Sequence, residues 1–106
     1  MGQQVSTISA TATMTSTWNN NGAEGALVVI SANAPVSQTP VDETIYTAST
    51  VFGSGSNLGD SNYVVSVTPG ATSVTISGLT AGFDYFVKAY GFYYSNGLPY
   101  YELETA

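Results

Sequence analysis

Histidine and cysteine are absent from this 106-residue chain, and a single lysine is its only basic residue. Without histidine the chain lacks the commonest acid–base side chain and the usual catalytic triads. Without cysteine it has no thiol nucleophile and no disulfide framework, and nearly every zinc site is excluded, so stability must come from packing. Seven acidic residues face that one lysine, for a formal net charge of −6. Nucleic-acid binding needs Lys and Arg to displace counterions, and docking on an anionic membrane needs a basic face, so neither is expected. No apolar run approaches the ~20 residues of a helical membrane span, and no amphipathic helical repeat is present.

What the chain does have is β-branched residues, Ser, Thr, Gly, Asn and eight tyrosines, with only 8% charged residues. The length suits one domain over residues 1–106. Apolar and polar residues alternate along it in short runs broken by turn residues, which predicts seven or eight antiparallel strands. Residues 4–17 alternate and supply two strands, with a bend at 9–12. Asn19-Asn20-Asn21-Gly22 is a turn, and residues 26–32 form the next strand. Pro35 and Pro40 hold an extended connection, because neither can donate to a ladder. Residues 45–51 and 62–68 then read as a hairpin or as neighbouring edge strands. Residues 72–77 alternate through Val74 and Ile76. Pro69-Gly70 and Asn96-Gly97 are turns, the second leading into a last strand at 100–105.

The most informative stretch is Leu79-Thr80-Ala81-Gly82-Phe83-Asp84-Tyr85-Phe86-Val87. Gly82 permits a sharp turn before a strand that places Tyr85, Val87 and Ala89 on one face and Phe86, Lys88 and Tyr90 on the other. A tyrosine so placed can bury its ring and bond through its hydroxyl to the turn's backbone. The pattern Leu-Thr-x-Gly-x-x-Tyr-x-Val resembles the E-to-F corner of fibronectin type III domains, with Trp18 at the position of their strand B tryptophan. Leu27-Val28-Val29-Ile30, Ala34-Pro35, Tyr46-Thr47-Ala48, Phe52-Gly53-Ser54-Gly55 and Asn62-Tyr63-Val64-Val65 extend the resemblance, from about residue 13 to residue 101, to a subfamily of large secreted and surface bacterial proteins. Gly91 and Tyr93 depart from the acidic residue and asparagine of that pattern. The resemblance implies an immunoglobulin-like sandwich of seven to eight strands with an extended C-to-E segment. It also implies a non-catalytic extracellular or cell-surface spacer, adhesion or binding module without cofactor. Its partners would be other domains of the same protein, or proteins or glycans at the cell surface.

Candidate sites are few. The carboxylates at 42–43 and at 102 and 104 read as solvated charges, since a glycosidase needs two across a deep cleft that a small sandwich has little room to form. The Gly-rich segment 53–62 lacks the Gly-Lys-Ser/Thr ending of a phosphate loop and has one carboxylate where calcium wants several, so it reads as a flexible hairpin tip. Trp18 reads as core. Lys88 suggests an internal isopeptide bond, but its strand parity favours snorkelling beside Tyr90. The aromatic cluster Phe86, Tyr90, Phe92 and Tyr94 is the candidate interface, to the extent that the C-to-E segment leaves it uncovered. The alternative is a self-assembling subunit of an extracellular filament or a virion decoration protein, a homo-oligomer in which residues 2–12 add as a strand to a neighbour's edge.

Overall fold

The computed structural model describes residues 3–7, 13–18, 22–80 and 82–101. The expected bend at 9–12, the turn at 19–21 and residues 102–105 of the last strand lie outside them. The described residues are all β, in seven strands and two antiparallel sheets: β1 (Gln3–Thr7), β2 (Met14–Thr17), β3 (Gly25–Ala32), β4 (Tyr63–Ser66), β5 (Ser73–Ile76), β6 (Asp84–Ser95) and β7 (Leu98–Tyr101). The larger sheet runs β1-β6-β3-β4, with β7 also on β6, and the smaller pairs β2 with β5. The architecture is sandwich-like.

The alternating faces of β6 explain how the layers assemble. Tyr85, Val87 and Ala89 join Ala26, Val28, Ile30 and Val65 to pack against Ile76 and Leu79, with Met14, Trp18 and Val74 partly buried beside them. Tyr90 and Phe92 face the other way and join Leu27, Val29, Val64 and Tyr101 in a second cluster. β3 is therefore buried on both faces, which is why residues 26–30 form an unbroken apolar run. Burying a large aliphatic or aromatic side chain contributes roughly 1.5–3 kcal/mol, so the second cluster is a major part of the fold.

Among the described residues no regular sheet covers that second face. Residues 33–62 cross it instead, contributing Val36 to the cluster and packing Tyr46, Ala48 and Leu58 against it. The strand expected at 45–51 does not form. The Ser49 amide donates to the Val64 carbonyl on β4 (3.2 Å), Thr47 bonds Ser56 through both its amide and its carbonyl, and the chain then leaves for the smaller sheet, where Val51 bridges Ser77 in parallel. The Gly-rich segment does reverse tightly into β4, with Asn57 bridging Tyr63 antiparallel and the Leu58 amide donating to the Asn62 carbonyl (2.8 Å), but its earlier part is tied to its neighbours, the Ser56 amide donating to the Thr47 carbonyl (2.8 Å) and the Val64 amide to the Ser56 carbonyl (2.9 Å). At Gly55 the backbone approaches β4 so closely that a Cβ would lie 2.0 Å from the Val64 carbonyl oxygen.

The two reversals that frame β6 match their residues. Gly82 has φ +87° where the chain turns into the strand. Asn96 and Gly97 both have positive φ (53° and 80°), as the tight hairpin between β6 and β7 requires. The Tyr85 ring is buried, and the Thr80 amide donates to its hydroxyl at 2.8 Å.

Candidate functional site

The four aromatic residues of the candidate interface divide. Tyr90 and Phe92 are buried under the crossing segment, Phe86 is partly buried in the same cluster, and Tyr94 is 46% exposed. As an interface the set is therefore reduced to Tyr94, because residues 33–62 cover the others. Tyr90 also donates its hydroxyl to the Gln38 carbonyl (3.2 Å), which fastens the cover to the sheet. Lys88 Nζ stands 5.2 Å from the centroid of the Tyr90 ring, the snorkelling geometry expected from their shared face.

The cover stops short of the hairpin end. There Ile45, Tyr46, Val67, Phe92, Tyr94, Pro99 and Tyr101 line an open cleft of about 90 Å³. Its floor is Phe92 and Tyr101, set edge to face with ring centroids 6.4 Å apart. Tyr46 leans on Tyr101 at 5.9 Å and Tyr94 on Phe92 at 5.4 Å, so the wall is a continuous aromatic contact network. Ile45 is 75% exposed at the rim.

Hydrogen bonds fix the rim. Tyr101 donates its amide to Asp42 Oδ1 and its hydroxyl to the Thr44 carbonyl, both at 2.8 Å. Tyr100 donates its hydroxyl to Glu43 Oε2 (3.2 Å), and the Glu43 amide bonds the Pro99 carbonyl (2.8 Å). The Tyr46 hydroxyl accepts from the Val41 amide (2.9 Å), while Glu24 Oε2 accepts from the Tyr94 amide. Burial first, then the nearby Tyr46, Tyr94 and Asp42, pushes the Tyr101 phenol up to about 12. The hydrogen bond to Glu43 raises Tyr100, and burial raises Tyr90. All three phenols thus stay neutral donors at physiological pH.

The carboxylates at 42–43, expected to be simply solvated, are exposed yet serve as acceptors that tie the crossing segment to β7. With Glu24 they place three of the seven acidic residues around the cleft. Among the described residues no group of three or more carboxylates could hold a metal. In the Gly-rich segment Asp60 Oδ2 instead accepts from the Gln38 side-chain amide (2.9 Å). Trp18 packs partly buried against the first core cluster.

Ile45, Tyr46, Val67 and Pro99 were not candidates in the sequence. Their meeting depends on where residues 33–62 cross the sheet, and that path carries no periodic signal. The cluster of tyrosines at 93, 94, 100 and 101 around an Asn-Gly turn did mark the right end of the molecule.

Comparison with known protein families, curated proteins and solved structures gives no match. The site's own chemistry must therefore carry the functional reading.

Proposed function

We propose that this chain is a non-catalytic, fibronectin type III-like module of an extracellular or cell-surface protein, and that it contacts a protein partner through the cleft between Ile45 and Tyr94. The observation that carries the reading is the cleft's size and lining. Small-molecule pockets usually enclose about 300–1,000 Å³, several times this volume. A space of about 90 Å³ holds one apolar side chain, which is how anchor residues seat at protein interfaces. The hydroxyls of Tyr46 and Tyr101 are already engaged within the chain, which leaves few polar groups for a sugar ring. The acidic rim of Glu24, Asp42 and Glu43 favours a partner with Lys or Arg beside its anchor. The bond from Thr80 to the buried Tyr85 hydroxyl, a tyrosine corner, supports the immunoglobulin-like part of the proposal.

Panning a random peptide display library against the unmodified chain and against Ile45→Asp tests it. Peptides with an apolar residue next to basic ones should enrich on the unmodified chain alone, and weaken as salt rises. Equal enrichment on both chains, or none on either, would remove the cleft as a contact site. Binding on a glycan array that Tyr94→Ala abolishes would make the ligand carbohydrate instead.

A second reading, a self-assembling subunit of a filament or virion surface, is favoured by one observation. β1 lies at the margin of the larger sheet and pairs with β6, whereas β2, which follows it, belongs to the other sheet.

A further inference from the structure

We infer that the Asp84–Lys88 edge of β6 can receive the β1 strand of a second copy of this chain, in the same register that β1 adopts at home. The inference rests on the assembly reading and names its donor, acceptor and register. In the chain, Gln3 is paired with Lys88, Val5 with Phe86 and Thr7 with Asp84, antiparallel throughout. β3 occupies the opposite edge of β6 over residues 85–88. β1 is thus what satisfies the outward backbone groups of residues 84–88, and an uncovered edge of this kind is a template for any strand that fits.

Gln-Gln-Val-Ser-Thr carries no charge and no proline, the two devices that most often keep an edge strand from pairing elsewhere. Its antiparallel backbone pairing with residues 84–88 is one that a second copy reproduces identically. Exchange of an identical element between copies is a low-cost route to assembly for that reason. Six residues, 8–13, separate β1 from β2 in the sequence, and a chain of that length reaches at most about 20 Å, which sets the range over which copies can exchange the strand. With one basic residue in the whole chain, no alternation of charge along the strand sets its partner.

The absence of native cysteine allows a direct test. One chain carries Gln3→Cys, activated as a mixed disulfide, and another carries Lys88→Cys as the free thiol. Opposed residues of paired strands lie within disulfide reach. Mixing should give a species of twice the 11.0 kDa chain mass, rising with concentration and about tenfold above a control that pairs Gln3→Cys with Ser54→Cys. The double variant in a single chain, at high dilution, should close within the monomer. If it closes while the mixed chains stay at control level, β1 remains at home and the inference is overturned. If neither links, the register itself is wrong and the inference also fails. Light scattering of the unmodified chain separates that failure from failure of the assembly reading. Oligomers without the link would leave assembly standing by another edge, and monomers at every concentration would remove both.

Discussion

Replacing Asn62 by Ala should destabilise the protein by about 3 kcal/mol, because one buried amide, just before β4, ties the two ends of the crossing segment together. The side chain is 1% exposed. Its Oδ1 accepts from the Ser37 and Gln38 amides at 2.9 and 3.4 Å, and its Nδ2 donates to the Asp60 carbonyl at 2.9 Å. Each such bond contributes about 1 kcal/mol net, and a buried donor left without an acceptor costs about 1–3 kcal/mol. Truncation removes three bonds and strands two amides that are only partly buried, so water recovers part of the loss. A total near 3 kcal/mol is a large share of the roughly 5–15 kcal/mol available to a small domain, and corresponds to a melting point lower by about 12–24 °C. Urea titration followed by the single tryptophan, Trp18, measures it. The midpoint should fall with an unchanged slope, showing that cover and sandwich unfold together. Asn57→Ala is the control: that side chain is exposed, accepts only from the Gly59 amide (2.8 Å) among its side-chain bonds, and should cost about 0.5 kcal/mol. If the two variants lose equally little, Asn62 does not anchor the segment, and the account of how the second face is covered fails.

Gly55→Ala should cost at least about 2 kcal/mol in the same titration, because its Cβ would meet backbone, the Val64 carbonyl oxygen, at 2.0 Å; an unchanged midpoint would place this loop elsewhere. Ser16→Ala should raise stability by about 1 kcal/mol by thermal melt, since the Ser16 hydroxyl is buried without a hydrogen-bond partner; a lower melting point would mean that the hydroxyl is in fact satisfied. Tyr101→Phe loses the bond to Thr44 and should be about 1 kcal/mol less stable at pH 7. Because the folded-state pKa of Tyr101 is raised to about 12, above its unfolded value near 10, the stability it contributes holds below pH 10 and is lost as pH rises towards 12. The gap between wild type and Tyr101→Phe should therefore narrow across that window, and a constant gap would refute the assignment.

Much of the sheet architecture was legible because its residues obey a two-residue period. The alternation from Tyr85 to Tyr90 assigns each side chain to its observed face, and Asn96-Gly97 marks a turn that needs two positive φ angles. Leu27-Val28-Val29-Ile30 signalled a strand, and its lack of alternation follows from burial on both faces. The path of residues 33–62 was not legible. Asn62, Tyr46 and Asp42 hold it in place by a few side-chain hydrogen bonds to partners that are up to 59 residues away, and in the sequence they look like any polar loop residues. The cleft inherits that opacity. Two of its aromatic members, Tyr94 and Tyr101, stand out as part of a tyrosine-rich hairpin, whereas Ile45 and Val67 gain meaning only from the crossing.

The same asymmetry explains why the cleft lies at this end of the molecule. The larger sheet buries apolar side chains on both faces, but the two-stranded sheet covers only one of them. An irregular segment must therefore cover the other, and it can do so only where anchors hold it: Asn62 at one end of its path, then the Tyr90 hydroxyl on the Gln38 carbonyl, then Asp42 and Glu43 on β7. β6 runs on to Ser95, beyond the start of β3 at Gly25, so its last aromatic residues have no neighbouring strand on that side. Glu24 closes the backbone there by accepting from the Tyr94 amide, yet a carboxylate cannot cover an aromatic ring. What remains open is the apolar surface between Ile45 and Tyr94. A partner that docks there completes a layer the chain itself leaves unfinished, which is why substitutions at Ile45 and Tyr94 should alter binding while leaving stability within about 0.5 kcal/mol.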